Sequence, residues 1–191
     1  MTNTQGIHGC PSVRCDNEAG VELAIQHLLD LGHSRIGMLY GKPELEDSRE
    51  RIHAFRAAAA AGRFACREEW IEDGDFTPSG GYIAAKNILE LPERPTAVFC
   101  CNDEMAIGLM RAAFELGLSI PNDVSVVGFD NSPWAERVHP AITTVEQPLQ
   151  AIGKSAAMAL HHRIHGLTVS DAVFTPRLIV RESSGHPAWL D

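Results

Sequence analysis

The chain has 191 residues, 45% hydrophobic and 21% charged, with 16 basic against 25 acidic side chains and a formal charge of -9. Those figures describe an ordinary globular protein with room for one sizeable core and exclude collagen-like, disordered and disulfide-dense classes. The acidic balance also speaks against a direct grip on a phosphate backbone, which needs clustered Lys and Arg, and no such cluster occurs.

In chain order, Val21, Ala24, Ile25, Leu28 and Leu29 mark a helical stripe stopped by Gly32, and the apolar run Ile36 to Tyr40 then reads as a buried strand closed by Gly41. Asp47 with Glu50 three residues on predicts a capping box opening a second helix, with Ile52, Phe55 and Ala59 on its apolar face and Gly62 at its end. A short strand is expected around Trp70 and Ile71. A third helix follows from about Ser79 to Leu89, ended by Pro92 to Pro95, and leads into the strand Ala97 to Cys101. Met105, Ala106, Leu109, Met110 and Ala113 predict a fourth helix, with Asn102 or Asp103 at its start and Gly117 at its close.

The strand Val124 to Phe129 comes next. After Asp130 the pattern changes to a Pro133/Trp134 turn, a strand Ile142 to Val145, a break at Gln147 and Pro148, and a helix from about Leu149 to His165. A last strand lies near Arg177 to Arg181, and the tail after Ser183 reads as frayed. Helices alternating with almost wholly apolar strands are the signature of a parallel sheet covered on both faces, so the expected fold class is α/β, doubly wound.

No apolar run approaches the roughly 20 residues of a membrane helix, and Met1 to Cys10 lacks the basic and apolar regions of an export signal. Cys10, Cys15, Cys66, Cys100 and Cys101 fit neither a zinc ribbon nor a redox CxxC spacing, and read as reduced cytosolic thiols.

In an open parallel sheet, ligands bind beyond the carboxyl ends of the strands, where loops converge. Informative polar residues should therefore directly follow apolar runs. They do: Asp47 and Arg51 follow the run ending at Tyr40, Phe76 follows Ile71, Asn102 and Asp103 follow Cys101, and Asp130 follows Phe129. The set has no nucleophile with its base, no Walker-type glycine loop and no GxSxG elbow, so no enzyme and no cofactor are expected. It does suit a hydroxyl-rich guest, since carboxylate and amide oxygens accept from hydroxyl pairs, a guanidinium donates as a fork, and an aromatic face covers a sugar ring or planar base.

Each residue also has a plainer reading. Asp130 and Asn102 suit helix caps, Arg51 a solvated helix position, and Phe76 ordinary packing under a loop. His161, His162 and His165 have spacings that bring imidazoles together on a helix, but no carboxylate or cysteine completes a metal set, so no metal is assigned.

Several segments carry a resemblance. Leu31-Gly32-His33 with the run to Gly41, Ser48, Arg51 and Phe55 is one. Gly74-Asp75-Phe76, Pro95-Thr96-Ala97 and Asn102 through Gly108 are others, as is Pro121 to Asp130, "PNDVSVVGFD". Thr143-Thr144-Val145, Gln147-Pro148 and Pro176-Arg177-Leu178 with Arg181 complete them. In order and spacing from about Asp16 to Ser183 they resemble the lactose-repressor and galactose-repressor (LacI/GalR) family of bacterial transcription regulators. That resemblance implies a periplasmic-binding-protein-like type I effector domain, with two lobes joined by crossover strands, a small molecule in the cleft, and a homodimer. It places effector contacts on Arg51, Phe76, Asn102, Asp130, Asp47 and Gln147, with Asp16 and Asn17 near the cleft.

The resemblance further implies that the helix-turn-helix head, the hinge helix and most of the first lobe are absent. Residues 1–32 would be a first-lobe remnant, with a strand near Val13; 33–146 the second lobe, which looks complete; 147–168 a returning first-lobe helix; 169–185 the final second-lobe strand; and 186–191 a tail. Gly32/His33, Val145 to Gln147 and the link after Gly166 are the expected hinges. Operator DNA would be read only through the missing head, the location would be cytoplasmic, and sugar affinity would be weak, because charged hydrogen bonds are worth about 1.5–3 kcal/mol each and the opposing lobe supplies some of them. The competing reading is a solute-binding component of a sugar transporter, which shares the fold but carries an export signal.

Overall fold

The computed structural model describes residues 11–188. Cys10, the opening of the 1–32 segment and the end of the 186–191 tail lie outside them.

Strand β1 (Val13–Cys15) passes through Asp16 into helix α1 (Asn17–Asp30), and the Asp16 carboxylate accepts from the Ala19 N–H as an N-cap. Then come β2 (Ile36–Tyr40), α2 (Glu46–Ala60), β3 (Ile71–Asp73), α3 (Pro78–Leu89), β4 (Ala97–Cys100), α4 (Asp103–Glu115) and β5 (Ser125–Asp130). β6 (Thr143–Glu146), α5 (Leu149–Ile164), β7 (Ala172–Phe174) and β8 (Arg177–Ile179) complete the order. Six strands form one sheet in the order β3-β2-β4-β5-β6-β8, with β8 alone antiparallel, while β1 and β7 pair in parallel as a separate two-stranded sheet. The doubly wound α/β class is what the chain adopts.

Every residue of β4 is buried, which requires cover on both faces of the sheet. That cover comes from the helix pairs α1 with α2 and α3 with α4. At the centre Phe64, Phe55, Phe99 and Phe129 form a chain of ring contacts with centroids 5.2, 6.4 and 6.5 Å apart.

Several expectations are corrected. The N-cap position of the second helix is Leu45, which has no side-chain cap bond, so Asp47 is not the cap; it lies in the first turn. Trp70 sits in a 3-10 turn and the strand starts at Ile71. β7 escaped the sequence reading because it is three residues long and its partner Val13 is distant in the chain. Helix α1, placed with the first-lobe remnant, contributes Val21, Ala24, Ile25 and Leu28 to the core of the six-stranded sheet. The chain therefore crosses between the two sheets at Asp16 rather than at Gly32/His33, and the 169–185 segment is divided, with β7 in one sheet and β8 in the other.

The start of the tail, expected to be frayed after Ser183, is instead pinned. The Val126 N–H donates to the Ser183 carbonyl at 2.7 Å, the Ser183 hydroxyl donates to the Val126 carbonyl at 2.6 Å, and the Gly185 N–H donates to Ser125 Oγ at 3.0 Å. His33, 1% exposed, fastens this strap with Nε2 2.9 Å from the Gly185 carbonyl and Nδ1 2.9 Å from Thr96 Oγ1. By contrast α5 buries none of its residues, and Leu149, Met158, Leu160, Ile164 and Leu167 stay exposed.

Burial holds the His33 imidazole below its ordinary pKa of 6.5, against the pull of the Gly185 carbonyl, so the neutral ring is the folded form. A depressed folded value means its stabilisation is complete above pH 6.5 and is lost as pH falls through the folded value. Urea midpoints should therefore fall on acidification below pH 6.5, and His33→Gln should remove part of that slope. The same variant should cost about 1–3 kcal/mol at pH 8. An unchanged slope and midpoint would assign the strap to other contacts.

Candidate functional site

From β2 the chain steps outward to β3 and then returns past β2 to β4, β5 and β6, so the strand order reverses between β2 and β4. At such a switch point the loops leaving the carboxyl ends part and leave a crevice. Arg51 occupies it.

Arg51 projects from α2 and is 4% exposed. Its Nε donates to Asn17 Oδ1 at 2.8 Å, its Nη1 donates to the Cys101 carbonyl at 2.5 Å, and its guanidinium lies 3.7 Å from the centroid of the Phe129 ring. Asp130 Oδ1 is 4.0 Å from Nη1 and accepts from Gln147 Nε2 at 2.7 Å. A permanently charged group survives burial only with such compensation. The solvated reading of Arg51 is thus corrected, and so is a capping role for Asp130, which ends β5 and precedes a turn.

Asn17 is the hub the sequence reading noted only as lying near the cleft. Its Nδ2 donates to Asp47 Oδ1 at 2.8 Å and to Glu50 Oε2 at 2.7 Å, while Glu50 pairs with Arg14 of β1 at 3.1 Å. Asp47 thereby joins the Arg51 cluster through Asn17.

Asn102 does two things at once. Its Oδ1 accepts from the Met105 N–H at 2.9 Å, capping α4, and its Nδ2 donates to the Phe76 carbonyl at 3.2 Å. That bond holds a turn in which Asp75 and Phe76 have φ of 53° and 57°, left-handed values that non-glycine residues rarely adopt. Gly41 is needed there: a Cβ on it would come within 2.3 Å of the Phe76 ring. Arg51, Asp130, Gln147 and, through Asn17, Asp47 thus form one cluster at the carboxyl ends of the strands, and Phe76 with Asn102 forms a second pair at the same edge.

Asp103, read in the sequence as a cap or a strand-end polar group, is 1% exposed beneath this edge. It accepts from Thr144 Oγ1 at 2.6 Å and from the Ser132 N–H at 2.6 Å. Burial pushes its carboxyl up to about 6, with the hydrogen bonds from Thr144 and Ser132 opposing and the nearby Asp130 adding to the rise. Asp130 is also raised, chiefly by burial, with Arg51 and Gln147 pulling it back. No sequence pattern separates such a carboxylate from an ordinary first-turn Asp.

Chemically the edge offers carboxylate and amide oxygens, a guanidinium and an aromatic ring. Burial pushes the thiols of Cys15 and Cys101 up to about 11 and about 12, away from nucleophilic use. Among the described residues no group of three His, Cys, Asp or Glu is arranged to hold a metal. His165 Nδ1 lies 2.8 Å from the His161 carbonyl. A separate concavity of about 440 Å³, lined by Arg35, Thr96, Asn122 and Ala188 among others, lies at the amino ends of the strands and includes none of the predicted residues.

Residues 25–184 match the family model described as "Periplasmic binding protein-like domain". A Vibrio vulnificus protein named "HTH-type transcriptional repressor PurR" is 41% identical over 170 residues, covering 88% of this chain and 51% of that protein. The chain spans about half the length of the curated relatives it matches. A LacI family transcriptional regulator from Mycobacterium smegmatis superposes with a TM-score of 0.88 at 30% identity, over 97% of this chain and 70% of the other. A structure titled "transcriptional regulator CelR-cellobiose complex" gives 0.89 at 33% identity, over 96% and 57%.

Two outcomes test the electrostatics. Arg51→Met leaves Asp130 without its cation and removes the donor to Asn17 and the Cys101 carbonyl, and should lower unfolding free energy by about 3 kcal/mol in urea titrations; a loss below about 1 kcal/mol would show the guanidinium to be dispensable. Asp103 carries a folded pKa of about 6, above its ordinary 3.8, so the folded state binds its proton more tightly and the ionised group costs stability as pH rises through that window. The wild-type minus Asp103→Asn difference in unfolding free energy should therefore fall by on the order of 3 kcal/mol from pH 4 to pH 7. A flat difference would place the Asp103 carboxyl at its ordinary value.

Proposed function

The chain belongs to the periplasmic binding protein-like domain family, in the form carried by LacI-family transcriptional regulators, and from that premise we propose that it is the effector-sensing part of such a regulator. The guest is a small hydroxyl-rich molecule, of which a pentose, a hexose, a glycoside or a purine each suits the chemistry of the edge. The observation that carries this reading is the Arg51 network, which gathers Asp130, Asn17 and the Cys101 carbonyl around one cation at the switch point of the sheet, with Gln147 bonded to Asp130 and Asp47 to Asn17. Arg51, Phe76, Asn102 and Asp130 contact the guest, and Asp47 and Gln147 border it.

The domain division follows the packing. α1 through β6, with β8 and the 183–187 strap, form one lobe; β1, β7 and α5 belong to the other. Guest closure would then bend the chain at Asp16, at Gln147-Pro148 and between β7 and β8, and operator affinity would change through the paired heads of a homodimer. Exposed Phe114 and Ile83 on α4 and α3 support self-association through that face. A transporter component is the weaker reading, because the relatives found are transcriptional repressors and regulators. No helix among the described residues is long and apolar enough to cross a membrane. The proposed location is the cytoplasm.

Calorimetry or thermal shift with ribose, cellobiose and a free purine tests the site. The expected result is saturable binding of one class that Asp130→Ala weakens by at least tenfold, about 1.4 kcal/mol. Binding that survives Asp130→Ala and Arg51→Met together would remove this edge from the function.

A further inference from the structure

The turn after β5 is unusual in having two successive non-glycine residues at positive φ, Asp130 at 111° and Asn131 at 54°. Asn and Asp enter the left-handed region more readily than other side chains, but the φ of 111° at Asp130 lies well outside it, so neighbours must hold that backbone. Asp103 is the neighbour that reaches it from beneath. Its Oδ2 accepts from the Ser132 N–H, and its Oδ1 accepts from Thr144 Oγ1, which in turn accepts from the Asn131 N–H at 3.3 Å. One carboxylate therefore ties α4, the turn and β6 together. Gly128 is what lets it approach, since a Cβ there would stand 2.3 Å from Asp103 Oδ1.

We propose that Asp103 is a positioning residue for the effector site, whose carboxylate latches the turn that presents Asp130, so that the turn is firm when Asp103 is charged and slack when it is neutral. This rests on the reading of Asp130 as an effector contact. Hydrogen bonds to a carboxylate are roughly twice as strong as those to a neutral acceptor, so loss of the charge weakens both ties together. The Ser132 hydroxyl is buried beside the carboxylate that its own N–H grips, and with that N–H it favours the charged form of Asp103.

The groups facing Asp103 set the direction. Asp130 lies across the turn and Cys100 on β4 behind it, while Thr144 faces it from β6 with a hydroxyl. Arg51 neutralises Asp130 from the far side, and Glu146 of β6 is occupied by Asn131 and Arg177. Its proton is accordingly taken up near pH 6, so the latch works across the range just below neutrality. A regulator built this way would hold its guest more loosely as its surroundings acidify.

Amide hydrogen exchange by NMR on the ligand-free chain tests the latch. In the wild type, the protection factor of the Ser132 amide should drop at least tenfold from pH 7.5 to pH 5, while that of Val126, bonded to the Ser183 carbonyl, stays constant. In Asp103→Asn, Ser132 protection should be low at both pH values. The Asp130 carboxyl carbon should show a second inflection near pH 6 that the variant lacks. Equal Ser132 protection at both pH values, or wild-type protection in the variant, would overturn the proposal; should the variant fail to fold, the wild-type comparison decides alone. Because no ligand is used, an intact latch in a chain that binds nothing would count against the reading of Asp130 and leave the latch standing.

Discussion

A guanidinium cannot shed its charge, and Arg51 holds one at 4% exposure in the middle of the molecule. Every element around it answers that demand: Asn17 at the start of α1, the Cys101 carbonyl after β4, Asp130 at the end of β5, and the Phe129 ring beneath. Left unpaired, such a charge would cost several kcal/mol, so the arrangement that lets the chain fold is the same arrangement that shapes the proposed site. Stability and ligand chemistry are not separable here.

The network also explains where backbone strain is tolerated. Asp75, Phe76, Asp130 and Asn131 all have positive φ, at a cost on the order of 1–3 kcal/mol each. Each turn is held by a side chain from a neighbouring element: Asn102 on the Phe76 carbonyl, Asp103 on the Ser132 N–H, and Arg181 on the Asn131 side chain at 2.7 Å. In the proposed site, tips held in this way would lower the entropic cost of binding, because no guest would be needed to order them.

At the opposite pole the constraint is of another kind. His33 joins the end of α1 to Thr96 and to the 183–187 strap, closing the amino ends of the strands. Crossings between the two sheets lie elsewhere, and the Asp16 N–H donates to the Phe174 carbonyl at 2.9 Å where two of them meet. One end of the six-stranded sheet is thus braced while the other carries the loops and the crossings. That division suits a body that moves as a unit about its crossings.

The sequence by itself determined the alternation of helices and strands, the residues at the strand ends and the family resemblance, because hydrophobic period and strand-end position are local properties written at short range. Ile36 to Tyr40 and the α4 stripe were legible for that reason, and so was the position of Arg51, Phe76, Asn102 and Asp130 in or after the segments leaving the strands. Only the tertiary structure decided that Asp47 answers Asn17 instead of capping α2, that α1 belongs with the larger sheet, that Ala172 to Phe174 pairs with β1, and that the strap after Ser183 is pinned. Each of those depends on a partner far along the chain, and hydrogen bonds across such separations follow from which surfaces meet, a question no local pattern of residues answers. Asp103 is the sharpest instance: its place at the head of α4 is local, while its burial and its grip on Ser132 and Thr144 exist only because β5 and β6 close over it.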